Sequence, residues 1–89
     1  MPIVIKLQTC FGLPEKMTLP EGVETIAHLL RHVGEQIHFS FMTSDSSDLE
    51  QDLELAVNGK DLWFYPTFLN TPLKEGDLVE LFMLPLGGG

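Results

Sequence analysis

Leu53-Glu54-Leu55-Ala56-Val57-Asn58-Gly59-Lys60 is the stretch on which the fold turns. Leu53, Leu55 and Val57 alternate with Glu54, Ala56 and Asn58, the period-two pattern of a strand with one face buried. Asn-Gly follows directly, and these two residues tolerate the positive φ angles of a two-residue hairpin turn. A strand is therefore expected to reverse at once. Downstream, Trp63, Phe64, Tyr65 and Phe68 crowd into residues 62–69 but are interrupted by Pro66. Proline gives no N–H to a sheet ladder, so any strand there is short or at an edge. Leu73-Lys74-Glu75-Gly76-Asp77 reads as a further turn, after which Val79, Leu81 and Met83 alternate with Glu80, Phe82 and Leu84. This is the last strand, with Val79, Leu81 and Met83 expected on the buried face.

Working towards the N-terminus, residues 40–52 are rich in Ser, Thr, Asp and Glu without periodicity and read as a mobile acidic loop. Before it, Ile26, Leu29, Leu30, Val33 and Ile37 recur at helical spacing, with Glu24, His28, Arg31, His32 and Glu35 opposite. This predicts an amphipathic helix of three or four turns, able to cover one face of a small sheet. At the start, Ile3, Ile5 and Leu7 alternate with Val4, Lys6 and Gln8. Turn residues Phe11-Gly12-Leu13-Pro14 follow, then Met17 and Leu19 alternate with Lys16 and Thr18, so the chain opens with an antiparallel pair.

With 89 residues the chain is one small domain, and 44% apolar residues place it among folded proteins. No apolar run reaches the ~18 residues that span a bilayer. Met1-Pro2-Ile3-Val4-Ile5-Lys6 has no basic leader or cleavage site, so a cytoplasmic location is the expectation. A net charge of −8 repels phosphate backbones and anionic lipid, which argues against nucleic acid or membrane as partner. The single cysteine, Cys10, cannot form an internal disulfide.

The C-terminal residues Leu81-Phe82-Met83-Leu84-Pro85-Leu86-Gly87-Gly88-Gly89 run from an apolar strand through a proline into three glycines. Pro85 should end the strand, because it cannot extend the ladder. The expectation is a body over 1–84 and a flexible glycine tail over 85–89, reaching roughly 17 Å when extended. On its own such a tail reads as a frayed terminus. Phe82 and Leu84 should point away from the helix, on the same outer side as Val4, giving an apolar patch beside the tail.

Strand, strand, helix, strand, short strand, strand is an α+β order: a mixed sheet with one main helix across it, as in the ubiquitin-like β-grasp. Leu55-Ala56-Val57-Asn58-Gly59-Lys60, then Thr71-Pro72-Leu73-Lys74-Glu75-Gly76-Asp77-Leu78-Val79-Glu80-Leu81-Phe82, then a terminal Gly-Gly resembles the MoaD/ThiS family of sulfur carriers in order and spacing. The resemblance implies a cosubstrate rather than a catalyst, with no cofactor bound. An adenylyltransferase resembling ubiquitin-activating enzymes would use ATP to adenylate the terminal carboxylate, at Gly89 or Gly88. Sulfur from a persulfide would then give a thiocarboxylate. The acceptor would be the large subunit of molybdopterin synthase or a thiazole synthase. Pro85 and the length favour the molybdopterin side, whereas three glycines are common on the thiamine side. Phe82, Leu84, Pro85, Leu86, Gly87 and Val4 are the expected partner contacts. A protein modifier forming isopeptide bonds from the same tail, with Lys6, Lys16, Lys60 and Lys74 as the amines for self-linkage, and a plain interaction module are the alternatives.

Other groups carry less. His28 and His32 are four apart on the helix, but a zinc site needs a third protein ligand, so no metal is expected. Asp45, Asp48, Glu50 and Asp52 lack the spacing and the glycine of a calcium loop. Cys10 reads as a small packing residue. The aromatic cluster around Trp63 is either a docking surface or the lower edge of the core.

Overall fold

A computed structural model describes residues 3–45, 48–50 and 52–83 of the protein. Its strands are β1 (Ile3–Thr9), β2 (Lys16–Leu19), β3 (Leu53–Val57), β4 (Lys60–Asp61) and β5 (Leu78–Met83), with one helix, α1 (Ile26–Ile37). Short 3-10 turns cover Leu62–Phe64 and Phe68–Asn70. The five strands form one sheet in the order β2-β1-β5-β3-β4. β1 pairs antiparallel with β2 and parallel with β5, while β3 is antiparallel to both β5 and β4. This is the mixed sheet with a single covering helix expected of a β-grasp.

The alternation in each strand decides which side chains meet the helix. Ile5 and Leu7 on β1, Met17 and Leu19 on β2, Leu55 and Val57 on β3, and Val79 and Leu81 on β5 are all buried. Against them lie Ile26, Leu29, Leu30 and Val33 of α1. Thr25 caps the helix: its Oγ1 accepts the His28 N–H at 3.3 Å, and His28 Nδ1 accepts the Glu24 N–H at 3.3 Å. Two of the N–H groups at the helix start are thus satisfied reciprocally, with histidine in the place usually taken by a carboxylate or amide. At the other end His38 adopts φ 56 and the Phe39 N–H returns to the Gly34 carbonyl at 2.9 Å. A Cβ on Gly34 would overlap the Phe39 carbonyl oxygen, so glycine is required there by close approach.

Two expectations are corrected. Met83 shares the parity of Val79 and Leu81 yet is 47% exposed. β1 stops at Thr9, opposite Leu81, so β5 runs on past its neighbour before Met83 is reached. The segment after α1 is also more than an acidic loop. The Glu50 N–H donates to the Phe41 carbonyl and the Thr43 N–H to the Asp48 carbonyl, both at 2.9 Å, around a Met42–Leu49 bridge. Phe41 and Leu49 enter the core, and Phe41 forms an aromatic cluster with Phe11 and Phe39 at centroid separations of 4.8–5.4 Å. Single apolar residues at the two ends of a polar run carry no periodicity, so the pattern did not reveal them. Residues 46, 47 and 51 lie outside the described set.

Candidate functional site

The candidate site is the C-terminal end of β5, the strand that leads in sequence to the glycines. β5 is the central strand, hydrogen-bonded to β1 on one side and β3 on the other. Its opposite end is locked by the two turn motifs of the sequence. Asn58 and Gly59 adopt φ 55 and 81, the positive values of a two-residue hairpin turn, and Val57 pairs with Lys60 across it. Asn58 Oδ1 accepts the Leu78 N–H at 2.9 Å and its Nδ2 donates to Asp77 Oδ1 at 3.0 Å. The other carboxylate oxygen, Asp77 Oδ2, accepts the Lys74 N–H at 2.8 Å and closes the turn in which Gly76 takes φ 83. The Lys6 N–H donates to the Asp77 carbonyl and the Asn58 N–H to the Leu78 carbonyl. Asn58 and Asp77 therefore tie the β3–β4 turn to the start of β5. The sequence marks both as turn residues but contains no sign that they bond each other, because they are 19 residues apart.

At the exit end, Phe82 is 39% exposed on the face away from α1, opposite Glu54 of β3. Met83, the last described residue, is exposed beside it and opposite Leu53. Val4 is on the same outer face as Phe82 but does not join it. In the parallel register Lys6 lies opposite Leu78, so Val4 sits level with Gly76, and the Gly76 N–H donates to the Val4 carbonyl. Six residues of strand, roughly 20 Å, separate Val4 from Phe82. Lys6, Gln8 and Glu80 occupy the face between them. The exposed apolar residues at this end of β5 are therefore Phe82 on the outer face and, on the opposite one, Met83, a residue the alternation had placed inside. The remaining predicted site residues, Leu84, Pro85, Leu86, Gly87, Gly88 and Gly89, lie outside the described residues, as does the boundary drawn between body and tail.

The other candidates are placed as follows. His28 is engaged in the helix cap, and Gln36 Nε2 donates to His32 Nε2 at 3.2 Å. Among the described residues no group of three or more His, Cys, Asp or Glu side chains converges as a metal site. Asp45 accepts from Thr43 Oγ1 and Asp48 from the Leu49 N–H, both at 2.7 Å, so these carboxylates shape their own turn. Cys10 is exposed just beyond β1. Among the described residues no helix is long and apolar enough to cross a membrane.

The ThiS family model matches residues 3–89, and the chain belongs to that family. No curated protein matches it by sequence. Among solved structures it is similar to the HVO 2177 protein of Haloferax volcanii, with TM-score 0.74 and 17% identity over 99% of this chain and 88% of that one. The small archaeal modifier protein 1 of Methanosarcina acetivorans gives TM-score 0.70 at 15% identity over 99% of each chain. Urm1 of Trypanosoma brucei gives 0.59 at 18% identity, covering 98% of this chain and 97% of that one. At these identities the likeness is one of fold: a ubiquitin-like β-grasp of the kind found in small modifiers and sulfur carriers.

Proposed function

We propose that the protein is a sulfur carrier for molybdopterin synthesis, with the carboxylate of Gly89 as its working group. The observation that carries this reading is family membership extending to residue 89, through the glycines. The fold supports it by making β5 the central strand, held by β1 up to Leu81 and by β3 up to Met83, the last described residue before the glycines. A carboxylate is a poor electrophile, and an adenylyltransferase resembling ubiquitin-activating enzymes would convert it with ATP into an acyl adenylate, releasing pyrophosphate. A persulfide then displaces AMP, and a thiol cleaves the resulting acyl disulfide to leave the thiocarboxylate. Glycine at Gly88 and Gly89 leaves no side chain to obstruct a narrow channel to the reacting carbon. The chain itself acts as cosubstrate and holds no cofactor; Phe82 and Met83 guide it to the activating enzyme. Pro85 favours a molybdopterin synthase large subunit as the acceptor over a thiazole synthase.

A second reading, conjugation of the same tail to protein amines, is favoured by the likeness to a protein named as a small archaeal modifier. One experiment addresses both. The protein is incubated with the cognate adenylyltransferase, ATP and a persulfide donor and then weighed by mass spectrometry. The expected product has one sulfur in place of one oxygen at Gly89, absent after deletion of Gly88 and Gly89. It should also be reduced about 100-fold when an alanine is appended, since a misplacement of about 1 Å can have that effect. Thiocarboxylation of the deleted chain refutes the carrier reading. Lysine adducts without any thiocarboxylate select the modifier.

A further inference from the structure

The largest exposed apolar surface among the described side chains is not at the exit of β5 but beyond β4. Trp63 is 66% and Phe64 71% exposed, and they are adjacent in sequence. Isolated exposed apolar residues are ordinary, whereas two large aromatics exposed in succession on one turn, the first stacked on a third ring, put much apolar area at one edge of the sheet, as interfaces do. Their backbone is firmly held. Leu62 and Leu69, on either side, are buried in the core. Asp61 Oδ1 accepts the Trp63 N–H at 2.9 Å, and Tyr65 Oη donates to the Val57 carbonyl at 2.8 Å. Phe68 stacks on Trp63 at 4.6 Å from a backbone with φ 45, a conformation that bulky residues avoid. Thr71 secures it by donating to the Phe68 carbonyl from both its N–H and its Oγ1. Phe68 itself packs against the core, so the Trp63 ring lies on a fixed support.

Carboxylates outnumber amines along the chain that builds this edge. From Asp45 to Asp61, the segment that builds β3 and β4 and leads into them, there are six carboxylates (Asp45, Asp48, Glu50, Asp52, Glu54 and Asp61) against the single ammonium of Lys60. On the far side of the sheet Lys6 and Lys16 stand directly opposite each other on β1 and β2. On the sheet face away from α1 the lysines thus lie on β1 and β2, and the carboxylates of Glu80, Glu54 and Asp61 lie on β5, β3 and β4, the side from which the chain runs on to Trp63 and Phe64.

We infer that the Trp63–Phe64 edge is a second docking surface, and that it fits a protein groove with an apolar floor and a rim of lysine and arginine. An acidic edge repels a second copy of itself, nucleic acid and anionic lipid alike. A basic rim is attracted to it and fixes the register of the two rings. Rings already held in place lose little freedom on binding, the condition under which an aromatic residue becomes an interface hot spot. The edge is two strands from β5, about 10 Å, and the inferred contact does not include Gly88 or Gly89.

The test places p-benzoylphenylalanine at Phe64 of the full chain in cells, with the same probe at Thr18 of β2 as control, and maps the cross-linked peptides. Expected is a protein adduct at position 64, absent at 18, whose cross-linked segment carries lysine or arginine beside apolar residues. Its yield should fall about tenfold or more with Trp63→Ser, persist after deletion of Gly88 and Gly89, and fall with added salt when the complex is reconstituted from purified parts. The salt arm needs no variant and stands if Trp63→Ser disturbs the fold. An adduct only to a second copy, an adduct on an acidic segment, one lost with the tail, or none above the control overturns the inference. None of these outcomes touches the thiocarboxylate assay, so failure here and failure of the carrier reading are separable.

Discussion

Replacing Asn58 separates two contributions that the structure assigns to one residue. The side chain makes two hydrogen bonds, one to the Leu78 N–H and one to the Asp77 carboxylate, and the backbone sits at φ 55. Each bond at this exposed site is worth about 0.5–1.5 kcal/mol net, and alanine in a left-handed conformation costs about 1 kcal/mol more than glycine. Asn58→Gly, which removes the bonds but accepts the backbone angle, is therefore expected to cost about 1–3 kcal/mol. Asn58→Ala is expected to cost about 2–4 kcal/mol, a fall in Tm of roughly 10–30 °C for a domain of this size. Asp77→Ala loses the bonds from Asn58 and from the Lys74 N–H, and the double variant should be less destabilised than the sum by about 0.5–1.5 kcal/mol. Urea unfolding followed by the circular dichroism of α1 gives all four values, with a common m-value as the check that the transition stays two-state. Equal costs for Ala and Gly at 58 would remove the conformational part of the argument. Strict additivity with Asp77→Ala would remove the link between the two turns.

Gly34→Ala should destabilise by about 1–3 kcal/mol, through displacement of the Phe39 carbonyl oxygen, which the added carbon would overlap. Helix propensity alone predicts stabilisation of about 1 kcal/mol, so the sign of the change in a denaturant melt decides the matter. Phe82→Ser is expected to weaken binding of the activating enzyme by ~1–3 kcal/mol in a titration while leaving the melting curve nearly unchanged. Val4→Ser, at the other end of the same face, should leave that affinity alone. Equal losses at both positions would show that the docking surface spans the whole face.

The motifs of this chain are legible before their purpose is. Asn58-Gly59 and Lys74-Glu75-Gly76-Asp77 announce turns because only a few residue types accept positive φ or close a loop with their own side chains. That the two turns are stapled together, and that the staple stands at the start of the strand leading to the glycines, is a fact of β-sheet register.

What the sequence determined by itself was local and periodic: the helix α1 from a 3.6-residue repeat, the strands β1, β2, β3 and β5 from alternation, the tight turn at Asn58-Gly59, and the family from ordered motifs, whereas the aromatic run around Pro66 folds into 3-10 turns instead of the short strand its composition suggested. Each is a property of neighbours in the chain, where spacing along the sequence is spacing in space. Only the tertiary structure decided that Phe41 and Leu49 belong to the core and Met83 to the surface. It alone set Val4 and Phe82 at opposite ends of one face, and raised Trp63 and Phe64 on an acidic edge. Alternation specifies which face a side chain takes, but not whether another element covers that face at that height. Cover depends on where β1 stops, where α1 lies and how a non-periodic segment folds back, and these are settled by contacts between residues far apart in the chain.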